Sequence, residues 1–166
     1  MNNTFNIRNA NKNDVDTALA LYEKARDFMK KAGNPHQWKG GYPSRELIEK
    51  DVEEGHLYVC CKDGKPIAVF FFAIHDDPTY ARIDGGAWLT NGEYGVLHRI
   101  AVGPCGAGVA GTCFDFCLSK CKSLRLDTHK DNIPMQKALA KHGFTYCGVI
   151  YLANGDERIA FEKIAP

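Results

Sequence analysis

Four glycines, Gly103, Gly106, Gly108 and Gly111, fall within nine residues, behind an apolar β-rich run and ahead of a helical pattern. Glycine there lets backbone N–H groups point at a ligand, and the start of the helix adds roughly half a positive charge. This is the chemistry of a pyrophosphate cradle, although the same glycines equally suit a flexible strand-to-helix turn. Two familiar nucleotide sites are excluded. A G-x-x-x-x-G-K-[ST] loop needs a lysine that the Gly111-Thr112 pair lacks. A dinucleotide site wants its glycine turn after the first strand, with an acidic residue on the next parallel strand. Here the turn lies two-thirds of the way along, behind strands that read as antiparallel.

The other reactive residue types make no metal site. Cys113, Cys117 and Cys121 recur at i, i+4 and i+8 on one helix face, without histidine or carboxylate partners nearby in sequence. They read as small hydrophobes packing the helix on a sheet. Adjacent Cys60 and Cys61 point to opposite faces of a strand. No C-x-x-C occurs, and the odd count of 7 Cys agrees with a reducing compartment. His36, His56, His75 and His142 are scattered.

The elements that must position this turn follow from periodicity. Residues 4–8 alternate as a first strand. Asn13 is the expected cap of a first helix with Val15, Ala18, Leu19, Tyr22, Ala25 and Met29 inward, ended at Gly33-Asn34-Pro35. Ser44 opens a second helix with Leu47, Ile48 and Val52 inward. Runs 57–61 and 67–74 form a hairpin across Asp63-Gly64, and a long connection, 75–93, leads to a strand over 94–102. A helix over 109–122, a strand over Ser123–Thr128 and a helix over 134–142 follow. Strands 144–152 and Glu157–Ile164 close the chain across Asn154-Gly155. The expectation is one domain spanning 1–166, an α/β chain of α+β type. Its sheet is mixed and mostly antiparallel, of about seven strands, with helices on both faces.

Composition agrees, with 45% hydrophobic and 25% charged residues, 16 Gly and 7 Pro, as in an ordinary globular domain. No apolar run approaches the ~18 residues of a membrane span. The polar N-terminus shows no targeting pattern, and 21 basic against 20 acidic residues leave a net charge of +1. These point to a cytoplasmic protein with neither a nucleic-acid nor a membrane partner.

Two blocks carry a resemblance. His98-Arg99-Ile100-Ala101-Val102-Gly103-Pro104 and Cys105-Gly106-Ala107-Gly108-Val109-Ala110 resemble the fourth strand and [Q/R]-x-x-G-x-[G/A] loop of the GNAT superfamily of acyl-CoA-dependent N-acetyltransferases. Leu126-Asp127-Thr128-His129-Lys130-Asp131-Asn132, followed by Gly143-Phe144, resembles its fifth strand, asparagine and closing GF. The order of elements is similar over nearly the whole chain. The resemblance implies a notch between parted fourth and fifth strands. Acetyl-CoA would lie there against the backbone of Ile100, Ala101 and Val102, its pyrophosphate on the turn from Ala107 through Gly108, Val109, Ala110 and Gly111 to Thr112. Asn132 would hold the arm from the other side, with Met135, Leu139 and His142 also on the cofactor side. The chain departs from the family at Cys105, where the loop has Gln or Arg, and at Leu139, where many members carry an acidic tyrosine.

Acetyl transfer by direct attack needs the amine deprotonated, the carbonyl polarised and the thiolate released. The base candidates are Asp127, His98, Glu93 and His129; Tyr146, Tyr151 or water would replace the missing acid. A thiolate of pKa near 8.5 leaves readily in any case. The acceptor, a primary amine on a small molecule or peptide, would enter where Trp38, Tyr42, Tyr80, Trp88 and Tyr94 either line a pocket or simply pack. Leu139 and Cys105 also fit a catalytically degenerate acyl-CoA-binding module, and a nucleotide on the glycine turn of an unrelated fold is a third reading. The terminal hairpin offers an edge on which a second copy could pair as a homodimer.

Overall fold

The computed structural model describes residues 4–104 and 108–166; the expectations for Cys105, Gly106 and Ala107 lie outside the described residues. Asp63 and Gly64 both have positive φ, the twist that a two-residue hairpin turn requires, and they join β2 (Leu57–Lys62) to β3 (Lys65–Ile74). β1 (Phe5–Asn9) pairs antiparallel with β2, and β4 (Gly95–Val102) pairs antiparallel with β3. β5 (Ser123–Thr128), β6 (Thr145–Tyr151) and β7 (Glu157–Ile164) complete a seven-stranded sheet of order β1-β2-β3-β4-β5-β7-β6. Only β4 and β5 are parallel, as the glycine turn and one helix between them demand.

Helices cover both faces. α1 (Val15–Lys31) and α2 (Arg45–Glu53) pack Val15, Ala18, Tyr22 and Ile48 against Leu57, Val59 and Val69. α3 (Val109–Leu118) and α4 (Ile133–Lys141) pack the other face, where Cys113, Cys117 and Leu139 are fully buried with Phe70, Leu124 and Leu126. The stripe of cysteines is therefore core. Among the described residues no helix is long and apolar enough to cross a membrane.

Three local expectations are corrected. The first cap is Asn11 rather than Asn13. Asn11 and Asp14 form a reciprocal capping box around a short 3-10 turn, Lys12–Asp14, that precedes α1. α3 ends at Leu118 instead of 122, because Ser119 caps it and Lys120 turns back onto the Cys117 carbonyl. In α2 the buried partner of Ile48 is Asp51, a charge that hydropathy patterning places outside.

β4 does not run straight. His98 opposes Phe71 and Ala101 opposes Val69, so two residues bulge opposite one, and Arg99 takes φ 52°. The Arg99 side chain is held by Asp51 at 2.5 Å, by the Tyr42 hydroxyl at 3.2 Å and by the face of the Phe71 ring at 4.8 Å. This is the role of buried Asp51. β4 parts from β5 just before the bulge, and the two strands share only the pairs Gly95↔Leu124 and Val96↔Arg125.

The long connection across the sheet is tied down by one carboxylate. Glu162, with no exposed surface, accepts from Ser123 Oγ, Thr90 Oγ1, the Leu89 N–H and Arg125 Nε at 2.5–3.2 Å. Arg125 is in turn sandwiched between the rings of Trp88 and Tyr94. Burial alone would push the Glu162 carboxyl up, and these hydrogen bonds outweigh it and hold it down. Glu162→Ala leaves Arg125 buried without its counter-charge. The expected loss is about 3–5 kcal/mol of unfolding free energy, measured by urea denaturation, with Glu162→Gln milder.

Candidate functional site

The parted strands open a cleft of about 250 Å³. β4 contributes His98, β5 contributes Asp127, and the connection after β3 contributes Asp77 and Tyr80. Asp77 is positioned by an Asx turn: its Oδ1 accepts from the Thr79 N–H at 2.9 Å and the Thr79 hydroxyl at 2.6 Å, and its own N–H donates to Tyr94. Its other oxygen lies 2.7 Å from His98 Nε2. Burial raises the Asp77 carboxyl, but the contacts from His98 and Thr79 dominate and bring it to about 2.

On the other side of the imidazole, His98 Nδ1 lies 4.0 Å from Asp127 Oδ2, which accepts from the Tyr80 hydroxyl at 2.7 Å. Burial, together with the Asp127 charge, pushes the Tyr80 phenol well up, so it stays a proton donor to Asp127. Tyr80 is fixed in turn by the Trp88 indole, which donates to its carbonyl and packs 5.0 Å from its ring. An ionised Asp77 only accepts, so the Nε2 of a neutral His98 carries the proton and Nδ1 presents its lone pair toward Asp127. The arrangement suits removal of a proton from a group entering between β4 and β5.

A second, more apolar cavity of about 530 Å³ continues from the cleft, sharing Met29, Ile100, Asn132 and Met135 with it. Ala101, Val102 and Pro104 form one side, Phe28 of α1 another, Pro134 and Ala138 of α4 a third. From Leu97 onward β4 has no pairing with β5, so its backbone faces this groove as an open strand edge. At the far end stands the start of α3. Gly108, with φ 82°, leads into it, among the described residues no side chain caps it, and its first turn holds no acidic residue. The N–H groups of Val109, Ala110 and Gly111 have no intrahelical acceptor, while Thr112 N–H returns to the Gly108 carbonyl. Gly111 allows His142 to close on α3: a Cβ there would meet the His142 ring at 2.4 Å.

The expected site residues divide accordingly. His98 and Asp127 come together, as do Ile100, Ala101, Val102, Ala110 and Met135, whereas Val109 is buried in the core and Gly111 lies under the His142 ring. Asn132 reaches the same place, with its side chain already engaged: Nδ2 donates to Gln37 Oε1 at 2.9 Å and Oδ1 caps α4 through Met135 N–H. Leu139 is wholly inside the core and presents no surface to a ligand. His142 packs on α3, against Gly111 and the edge of the Phe114 ring. Glu93 stands exposed at the opposite end of β4, beside His75 and Asp76. Tyr146 is half exposed on β6 and packs on Phe161, which belongs to the α3 face of the sheet, away from His98. Tyr151 is bonded to Asp84. His129 lines a neighbouring cavity. Trp38 and Tyr42 line the cleft; Tyr80 is buried behind Asp127, with Trp88 and Tyr94 packed against it.

Sequence reading misses Asp77, Gln37 and Arg158, all of which line the cleft. Asp77-Pro78-Thr79 carries an Asx-turn signal, which locates a turn without revealing its histidine partner. Gln37 and Arg158 leave no local signal.

No protein-family model matches the sequence, and no curated protein matches it. Solved structures do. A GNAT-family acetyltransferase from Streptococcus agalactiae 2603 is 33% identical, with a TM-score of 0.90 over 98% of this chain and 96% of that one. A protein from Staphylococcus aureus MU50 assigned as an acetyltransferase is 25% identical, with a TM-score of 0.70 over 96% and 99%. A GNAT-family acetyltransferase from Listeria monocytogenes 4b F2365 shares the fold at 19% identity and a TM-score of 0.70, over 96% of this chain and 94% of that one. The chain belongs to the GNAT family.

The Asp77–His98 contact has a measurable consequence for stability. The folded carboxyl sits near 2 against about 3.9 unfolded, so its contribution is present above pH ~4 and is lost as pH falls toward 2. Wild type should exceed Asp77→Asn by on the order of 2 kcal/mol at pH 6, with the gap closing toward pH 2, in denaturant titrations at each pH.

Proposed function

We propose that the chain is an acetyl-CoA-dependent N-acetyltransferase that moves an acetyl group to a primary amine by direct transfer in a ternary complex. The observation that carries this reading is the placement of His98, oriented by Asp77 and facing Asp127, at the floor of the notch that the parting of β4 and β5 opens. The residues present fit acetyl-CoA: an open strand edge at 100–102, an apolar groove and a helix start that no side-chain cap fills among the described residues stand in line. When bound, acetyl-CoA supplies an activated acetyl carbonyl and a leaving thiolate.

The protein's own groups do the rest. Asp127 lends negative charge that attracts the incoming ammonium. His98 Nδ1 accepts the proton from it, and the charge that develops on the imidazole is stabilised by Asp77 across the 2.7 Å contact. Tyr80 holds Asp127 in place. The apolar walls of Met29, Ile100 and Leu126 restrict water around the reacting atoms. No tyrosine stands at the Leu139 position, and the thiolate leaves with water as its proton source, which a pKa near 8.5 permits.

Two measurements test this. Acetyl-CoA and CoA, but not ATP, should raise the melting temperature, by the equivalent of about 2.7 kcal/mol at a hundredfold excess over Kd. His98→Gln should then lower kcat for thiol release about 10²–10⁴-fold while keeping that thermal shift. Acetyl-CoA binding without thiol release from any amine would favour the degenerate binding module. An unchanged kcat in the variant would remove His98 from the mechanism.

A further inference from the structure

Three arginines of this fold have side chains almost wholly withdrawn from water. Arg125 meets Glu162 at 3.2 Å and Arg99 meets Asp51 at 2.5 Å. Arg158 on β7 is only 6% exposed, yet among the described residues no carboxylate lies within ion-pair distance of it. Its Nη1 donates to the Glu157 carbonyl at 2.8 Å and its Nη2 to the Gln37 carbonyl at 3.2 Å. A guanidinium has five N–H donors, and two neutral carbonyls neither use all of them nor balance the charge.

The side chain lines the catalytic cleft and also a second cavity of about 550 Å³, which carries Lys39, Lys130 and His129 on its walls with Asp156 and Glu157. Burial, and next to it the charge of Arg158, pushes the His129 imidazole down, as expected beside a cation without a counter-ion. The nearby carboxylates are engaged elsewhere. Asp156 accepts from Asn154, and Asp127 accepts from Tyr80.

Register places this cation relative to the reacting groups. Asp127 pairs with Ala160, so Arg158 is its diagonal neighbour on the same sheet face, two residues along β7. Diagonal neighbours of this kind stand about 7–8 Å apart at the backbone, within reach of long side chains. A small molecule bridging them would have its amine at Asp127 and His98 and an anionic group only a few bonds away.

We infer that the acceptor is an amino acid, or a close analogue, whose carboxylate is bound by Arg158 while its amine faces His98 and Asp127, its side chain extending toward the cavity between Lys39 and Lys130. This rests on the transferase reading for the identity of the amine. The carboxylate site stands on the geometry of Arg158 alone. A bidentate carboxylate would complete the guanidinium in the way that Glu162 and Asp51 complete Arg125 and Arg99.

The test separates the two readings by measuring binding before turnover. A panel of N-acetyl amino acids and the matching N-acetyl amino amides is titrated into CoA-saturated protein by calorimetry, and the free amino acids and their amides are assayed for thiol release. The wild-type protein should bind at least one carboxylate compound roughly tenfold to a hundredfold more tightly than its amide. Arg158→Gln should erase that difference and leave the acetyl-CoA thermal shift intact, and Arg158→Lys should restore part of it. In turnover the loss should appear in KM for the acceptor rather than in kcat. Were Arg158 only a latch on the Gln37 loop, both variants would alter stability without altering the carboxylate-to-amide ratio. Equal binding of acids and amides by the wild type, or discrimination surviving in Arg158→Gln, overturns the inference. Discrimination without thiol release supports the carboxylate site and counts against the transferase reading alone.

Discussion

The parting of β4 from β5 after two residue pairs is the constraint on which the rest of this structure depends. A parallel pair in the middle of a sheet normally continues, because each further pair satisfies backbone groups that would otherwise lack partners. Here β4 leaves β5 after Val96, and the bulge that follows, with Arg99 at φ 52°, keeps the strand on its separate course. Such a conformation persists only where surrounding contacts over-determine it. Asp51, the Tyr42 hydroxyl and the Phe71 ring supply them. Withdrawn from β5, the far half of β4 keeps an open backbone edge. The gap also admits groups from both sides of the sheet to one small volume.

What fills that volume is organised by charge. Arg125, Glu162, Arg99 and Asp51 are buried and mutually compensated, and they hold backbone in place. Glu162 draws Leu89, Thr90 and Ser123 together, which fixes Trp88, which fixes Tyr80. Tyr80 and Thr79 then hold Asp127 and Asp77 on either side of His98. A chain of hydrogen bonds thus runs from a structural carboxylate in β7 to an imidazole able to accept a proton, with each link orienting the next. Arg158 is the exception, a buried charge at the edge of the same cleft with no carboxylate within ion-pair distance among the described residues.

Much of the fold was legible from local pattern. The Asp63-Gly64 and Asn154-Gly155 hairpins, the Ser44 cap and the order of all seven strands follow from turn chemistry and periodicity, which act over a few residues. The glycine turn was legible for the same reason, since the backbone freedom it needs is written in the residues that take it. His98 and Asp127 were named because the family resemblance puts them on the fourth and fifth strands, beside the cleft between them. Asp51 goes unnoticed because a periodic pattern scores a charge as outward-facing, and only the arrival of Arg99 from a distant strand makes burying it tolerable.

By itself the sequence determined the class of fold and the direction of each strand's apolar face, because these depend on short-range sterics and on the hydrophobic effect. Only the tertiary structure decided which charges meet. Asp77 reaches His98 across 21 residues of chain, Gln37 reaches Asn132 across 95, and Arg158 reaches the Gln37 carbonyl across 121. Contacts of that span are set by how the sheet twists, bulges and parts. A carboxylate's role as orienter, cap or counter-ion follows from the partner those features bring within 3 Å, and that partner leaves no trace in the residues beside it.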